Sequence, residues 1–140
     1  MSELTREQLE TEIAQCDKAF LDLKRYQELG TLEYLREHPD IYYAVCYRFI
    51  SAIESLFDVG QYVLLGKGAR AEGQREIPTL LGQKGVIPKD LVERFKHMYG
   101  FRNRLVHAYG TLDDERVAEY LAKRLGDIEE VLVALKAASA

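Results

Sequence analysis

The apolar residues of this chain recur every three or four positions along almost its whole length, which is the spacing of one face of an α-helix. Such a stripe runs through residues 9–29, a broader one through 41–65, and two more through 91–106 and 117–135. The pattern predicts an all-α fold in which four principal helices pack as an up-and-down bundle, with one short extra helix.

Capping residues and prolines divide these stripes. Thr5 and Gln8 have the spacing of a capping box, and Gly30 can end the first helix. Thr31 can cap a short segment, residues 32–37.

The second half of the chain has its own boundaries. Pro39 interrupts the pattern before the broad stripe, a short helix is predicted over 78–82, and Pro88 opens a long one. This helix should end near residues 108–110. Asp113 or Asp114 then caps one last helix that carries the final stripe to Leu135.

Residues 66–76 are rich in glycine and alanine and contain Lys67, Arg70 and Arg75. The composition is typical of a flexible connector. A basic flap over an anionic ligand is the alternative.

Composition limits the class of protein. A length of 140 residues predicts one domain, residues 1–140, and an apolar content of 47% is ordinary for a soluble protein. The sequence has no run of about 18 apolar residues, so a membrane span is not predicted. Residues 1–10 do not resemble a signal peptide. We therefore expect a cytoplasmic protein without membrane association.

Metal and cofactor sites are not indicated. Cys16 and Cys46 lie in apolar helical patterns and are expected to be buried thiols. The three histidines, His38, His97 and His107, have no partner at metal-ligand spacing. We expect no metal and no cofactor.

The net charge of −4 argues against general coating of nucleic acid. The distribution is uneven, because residues 84–107 contain six basic and two acidic side chains, a net charge of +4. A local phosphate site on an acidic protein is consistent with this distribution.

Residues 101–110 read FRNRLVHAYG and lie inside the basic region. The guanidinium of Arg102 has the shape that binds a phosphate, and His107 can transfer protons near neutral pH. These two groups are a minimal set for cleaving a phosphodiester without a metal. The alternative is structural, because a histidine near a helix C-terminus complements the helix dipole, and arginines there can pair with carboxylates of the last helix.

Helix geometry limits how these groups can cooperate. Arg102 and His107 are five residues apart, or about 140° around an ideal helix. They converge on one ligand only if the helix unwinds near the histidine or if two copies of the chain face each other across a two-fold axis. The charged positions Arg48, Glu54 and Asp58 are expected either on a solvated face or beside the site.

The segment from Arg102 to Tyr109 resembles the signature of HEPN-domain toxins, in the HepT branch of the HepT/MntA type. That signature is an arginine, four to six residues and a histidine, with a tyrosine two places later in this branch. Residues 43–60 and 78–86 are similar to the second helix and the mid-chain segment of the family. The resemblance extends from about residue 40 to residue 135.

The resemblance implies a HEPN-like bundle that works as a homodimer and cleaves RNA without a metal. Arg102 would bind the scissile phosphate, and His107 would transfer protons while the 2′-hydroxyl attacks phosphorus. Asn103 would support the site by a hydrogen bond. We expect Arg104 to contact the RNA backbone.

The resemblance also implies a partner. The antitoxin of this branch is a minimal nucleotidyltransferase that transfers AMP from ATP to the motif tyrosine, here Tyr109. The added phosphodiester would oppose RNA binding. Two other hypotheses stay open: a non-catalytic helical substrate-binding or regulatory module of a minimal nucleotidyltransferase, and a dimeric bundle in which the arginine and histidine are structural.

Overall fold

Seven α-helices and one 3₁₀ turn account for most of residues 4–107 and 113–140, which the computed structural model describes. No strand occurs among these residues, which confirms the all-α fold. The helices are α1 (Arg6–Leu29), α2 (Leu32–Glu37), α3 (Pro39–Gly66), α4 (Ile77–Gln83), α5 (Lys89–His107), α6 (Asp114–Lys123) and α7 (Leu125–Ser139), and the 3₁₀ turn Gln74–Glu76 precedes α4.

The start and end of α1 follow from local chemistry. The Thr5 side chain accepts a hydrogen bond from the Gln8 N–H at 3.1 Å, and the Gln8 side chain accepts one from the Thr5 N–H at 2.8 Å. This confirms the capping box. At Gly30, a Cβ atom would collide with the Leu121 side chain and lie 2.7 Å from the Tyr26 carbonyl oxygen. Only glycine therefore lets α6 approach the end of α1 this closely.

The long helix α3 lies at the centre of the bundle and packs against α1, α5 and α7. It runs antiparallel to α1, because Asp22 pairs with Arg48 at 3.0 Å while the Cys16 thiol lies against the carbonyl of Ala52. Both thiols, Cys16 and Cys46, are buried and free, as the sequence predicted.

Aromatic rings join α3 to α5. The Phe57 ring lies 4.5 Å from the Phe95 ring, and the Phe49 ring meets the Phe101 ring edge to face at 5.1 Å. These two contacts also show that α3 and α5 are antiparallel. They hold the motif-bearing end of α5 against the middle of α3.

Helix α3 has the length and composition of a membrane-crossing helix. Much of it is buried inside the bundle, including Phe49, Ile53, Leu56 and Leu64. The core helix of a bundle that packs on several sides has the same composition, and this accounts for the match.

The final apolar stripe belongs to two helices, whereas the sequence predicted one. Asp113 is the N-cap of α6, and its side chain accepts hydrogen bonds from two backbone N–H groups. Arg124 then takes φ −115° and ψ 2°, so that it ends α6 and precedes α7. Each part packs on different neighbours: α6 on α1 and α2, and α7 on α1, α3 and α5.

Candidate functional site

Arg102 lies in the penultimate turn of α5 and reaches across to α3. Phe101 and Leu105 are buried on either side of it, so this part of α5 is anchored in the core. The Nε and Nη2 groups of Arg102 donate to the same carboxylate oxygen of Glu54, at 3.2 and 2.7 Å. The arginine side chain is 22% exposed, and its position is therefore set by the protein.

Asn103 adds a second contact to the guanidinium. Its side-chain oxygen accepts a hydrogen bond from Nη1 of Arg102 at 2.8 Å. The bonds to Glu54 and Asn103 use three of the five N–H groups that a guanidinium carries. Together these hydrogen bonds fix the plane of the guanidinium.

His107 is the last described residue of α5, and its side chain is exposed. The helix is regular up to this residue, so the histidine lies about 140° around the axis and about 7.5 Å along it from Arg102. The structure has no unwinding between these two residues. The first of the two routes to a shared ligand, unwinding of the helix before the histidine, is therefore not present.

Arg104 and Tyr109 are the two remaining motif residues for which the sequence predicted a role. The Arg104 side chain is exposed on α5 and lines a cavity between α5 and α6. Tyr109, the expected site of AMP transfer, lies outside the described residues.

Glu54 is a site residue whose contact the sequence did not identify. It was one of three charged positions on α3 that were expected either on a solvated face or beside the site. Arg48 and Glu54 are half-buried, and both are paired, with Asp22 and Arg102 respectively. The signal in the sequence was weak, because charged residues on a helix most often face solvent.

A carboxyl pair lies one turn away from Glu54. The Glu12 side chain on α1 hydrogen bonds to Asp58 and Ser55 on α3, and burial together with the Asp58 hydrogen bond raises the pKa of Glu12 from 4.5 to about 7. These groups and Glu54 line a cavity of about 380 Å³ between α1 and α3. Lys18 and Arg48 also line this cavity, so the counter-ion of Arg102 borders a cavity of mixed charge in which Glu12 has its pKa near neutral pH.

Comparison with known proteins identifies relatives. The family model "Ribonuclease HepT-like" matches residues 16–135. A protein of Archaeoglobus fulgidus that carries the name "Putative RNase" is 33% identical over 87 residues. The matched region covers 62% of this chain and 61% of the length of that relative.

Solved structures share the fold. The tri-AMPylated HEPN toxin of Shewanella oneidensis, in complex with its MNT antitoxin, superimposes with a TM-score of 0.82 at 22% identity, covering 92% of this chain and 96% of that chain. A toxin–antitoxin complex with AMP-PNP gives a TM-score of 0.80 at 20% identity, covering 91% and 96%. At these identities the similarity shows a common fold, the helical fold of HEPN toxins.

The carboxyl pair predicts how stability depends on pH. The folded state keeps the Glu12 proton up to about pH 7, whereas the unfolded chain releases it near pH 4.5. The unfolded state therefore binds fewer protons between these values, and the free energy of unfolding should fall as pH rises through them. Glu12→Gln, which stays neutral, should have a smaller fall when urea unfolding is measured from about pH 4.5 to about pH 8.

The matched control is Glu28→Gln, the same change at an exposed position of α1. It should keep the pH dependence of the wild type. An equal slope in the Glu12→Gln variant and the wild type would show that the pair holds no proton.

Proposed function

Because the chain belongs to the HepT-like ribonuclease family, whose model matches residues 16–135, we propose that it is an endoribonuclease that cuts RNA without a metal ion. We propose further that it is the toxin of a toxin–antitoxin pair. The observation that carries the proposal is the guanidinium of Arg102, which Glu54 and Asn103 hold at the end of the helix that presents His107.

Arg102 would bind the scissile phosphate through N–H groups not used by Glu54 or Asn103. A guanidinium fixed before the substrate arrives loses little entropy when it binds, and it stabilises the charge that grows on the phosphate. Glu54 and Asn103 are then positioning residues, because they set the orientation of the group that touches the RNA.

His107 would transfer the protons. The RNA 2′-oxygen forms a bond to phosphorus while the bond from phosphorus to the 5′-oxygen breaks. A base removes the 2′-hydroxyl proton and an acid protonates the departing 5′-oxygen. The products are a 2′,3′-cyclic phosphate and a 5′-hydroxyl end. An exposed imidazole can reach an RNA strand lying on the surface.

In this proposal, a second copy of the chain brings Arg102 and His107 to the same phosphate, which the helix of one copy does not do. Tyr43 and Tyr47 are 63% and 61% exposed, large values for aromatic side chains. Together with Ile50 and Glu54 they follow one face of α3, at intervals of four, three and four residues. A two-fold contact through this face would bring Arg102 of one copy towards His107 of the other.

AMP transfer to Tyr109 would be the off-switch. A partner nucleotidyltransferase would join the phenol oxygen to the α-phosphorus of ATP, with pyrophosphate as the leaving group. The new phosphodiester carries a negative charge two residues from His107, where it would compete with RNA for Arg102. The tri-AMPylated Shewanella toxin, which shares the fold, supports this regulation.

The structure also contains an observation that favours a non-catalytic regulatory module. Arg102 is already paired with Glu54, and this ion pair joins α5 to α3. If the arginine serves only this purpose, the chain presents a surface to the nucleotidyltransferase and cuts nothing. Cleavage assays separate the two functions.

Cleavage should be independent of divalent metal. We expect the purified chain to cut RNA in the presence of EDTA, and Arg102→Ala and His107→Ala to lower the rate by about 10²-fold or more, because each removes a group that acts in the transition state. Gel analysis of a long single-stranded RNA gives the rates. Matched controls are Arg25→Ala and His38→Ala, at exposed positions of α1 and just beyond α2. Equal rates for all five proteins would remove the catalytic role and leave the non-catalytic module and the structural bundle.

The shared site predicts complementation between subunits. A heterodimer of one Arg102→Ala chain and one His107→Ala chain keeps one intact Arg–His combination across the two-fold axis. We expect differently tagged, co-purified chains to recover up to about half of the wild-type rate, whereas each mutant homodimer stays inactive. Without recovery, the two groups would have to act within a single chain.

The off-switch can be measured by mass. Incubation with the partner nucleotidyltransferase and ATP should raise the intact mass by whole AMP units and stop RNA cleavage. Tyr109→Phe should block both effects. Tyr43→Phe is the matched control, because Tyr43 is an exposed tyrosine on another helix and its loss should leave the modification unchanged. An unmodified wild-type chain would count against this regulation.

A further inference from the structure

A cavity of about 770 Å³ opens beside the motif, between α4, α5 and the loop that precedes α4. Arg70 and Arg75 line it from the loop, and Lys96, Tyr99 and Gly100 line it from α5. Its volume lies in the range of sites that hold a ligand of nucleotide size.

The cavity is next to the motif on the surface of α5. Tyr99 lies three residues before Arg102 and four before Asn103, so these side chains are neighbours on the helix surface. Gly100 lies seven residues before His107, on nearly the same face. Around the axis of α5, the cavity therefore opens on the surface between Arg102 and His107. Along the axis, it lies about one turn nearer the N-terminus of the helix than Arg102.

The lining has the chemistry that binds single-stranded RNA. Tyr99 packs against the Phe57 ring at 5.4 Å, which keeps its own ring in place, and the Arg75 guanidinium lies 5.5 Å from the Tyr99 centroid. An aromatic ring and a guanidinium are the planar surfaces on which proteins stack unpaired bases. The ammonium group of Lys96 can bind a phosphate.

The carboxylates of Glu72 and Glu76 also line the cavity, and that of Glu76 stabilises the loop. The Glu76 side chain accepts a hydrogen bond from the Glu72 N–H at 2.9 Å, within the loop. With Arg70, Arg75 and Lys96 the lining has three cationic and two anionic side chains. The lining itself has a net charge of +1, and its Lys96 is also paired with Glu93 at 3.3 Å.

Gly100, one of the residues that line the cavity, is a glycine that packing does not explain. It lies inside α5, where glycine is less favourable than alanine by about 0.5–1 kcal/mol. A Cβ atom at Gly60 would lie 2.8 Å from Ile77, and one at Gly82 would lie 2.5 Å from Val92, so close packing explains those two glycines. At Gly100 a Cβ atom would meet nothing within 4 Å. Packing does not require this glycine, and the missing side chain leaves room at the wall of the cavity that Gly100 lines.

We propose that this cavity binds the RNA nucleotide next to the scissile phosphate, and thereby determines where the strand is cut. The base stacks on Tyr99 and Arg75, and the backbone phosphate contacts Lys96. The strand then continues over Gly100 to Arg102 and His107. This inference rests on the proposed ribonuclease function.

Gly100→Gln tests the proposal, because Gly100 lines the cavity, a Cβ atom there meets nothing within 4 Å, and glutamine is a good helix former. The matched control is Gly126→Gln, on α7, where a Cβ atom also meets nothing within 4 Å. Both changes are made in His107→Ala, so that RNA stays intact. Fluorescence anisotropy with a labelled single-stranded RNA of about 12 nucleotides measures the dissociation constant.

We expect Gly100→Gln and, separately, Lys96→Gln to raise the dissociation constant about ten-fold, and Gly126→Gln to leave it unchanged. With His107 restored, Gly100→Gln should also shift the distribution of cut positions along a long RNA. Circular dichroism should show full helicity in each variant, since none replaces a core side chain.

Three results would contradict the cavity proposal, and each has a different consequence for the ribonuclease proposal. If Gly100→Gln binds and cuts RNA as the wild type does, the cavity proposal is overturned and the ribonuclease proposal stands. If the chain with Gly100 intact neither binds nor cuts RNA, both are overturned. If Gly100→Gln loses binding of free AMP or ATP while RNA affinity is unchanged, the cavity takes free nucleotides and the RNA assignment is overturned.

Discussion

The ion pair between Arg102 and Glu54 joins the helix that carries the motif to the central helix of the bundle. Both groups are partly withdrawn from water, with side chains 22% and 46% exposed, so their contact is screened less than one on the open surface. Loss of either partner would leave the other partly buried and unpaired. The pair therefore fixes the direction of the guanidinium, and any phosphate that binds there must use the N–H groups that Glu54 and Asn103 leave, or compete with the carboxylate.

The core explains why the ion pair forms at this place. Phe101 meets Phe49 edge to face at 5.1 Å and stacks on Tyr120 at 3.9 Å with an interplanar angle of 2°. These contacts set the rotation of α5 about its own axis, and Arg102, the next residue, is directed towards α3. The break after α6 is consistent with these contacts. Helix α6 places Tyr120 on Phe101, whereas α7 packs along α3, and the two helices therefore point in different directions. Burial also raises the pKa of the Tyr120 phenol, which keeps this stacked ring neutral.

Local signals predicted most of the fold, and contacts between distant residues account for what they missed. The capping box of Thr5 and the cap at Asp113 involve residues within three positions; the sequence located the first and narrowed the second to Asp113 or Asp114. The break at Arg124 has no such signal, because the apolar spacing continues through it and the two halves differ only in their neighbours. At the candidate site, the sequence indicated Arg102 and Asn103, and the structure joins these two by a hydrogen bond. The partner Glu54 is 48 residues away, and helical periodicity cannot indicate which charged residue on another helix meets an arginine.

The regular course of α5 has a consequence for the proposed assembly. An α-helix that continues to His107 separates the imidazole from the guanidinium by about 140°, so one chain offers RNA the two groups on different sides of a helix. In the proposed dimer, a two-fold axis beside α5 would place the arginine of one copy on the same side as the histidine of the other. The exposed tyrosines of α3 lie in line with Glu54 and offer an aromatic surface for that contact. Residues 84–107 have a net charge of +4 on a chain of −4, but Arg94 is paired with Asp127 and Glu130, and Arg102 with Glu54. The positive charge that such a dimer could offer to a phosphate is therefore smaller than the sequence count.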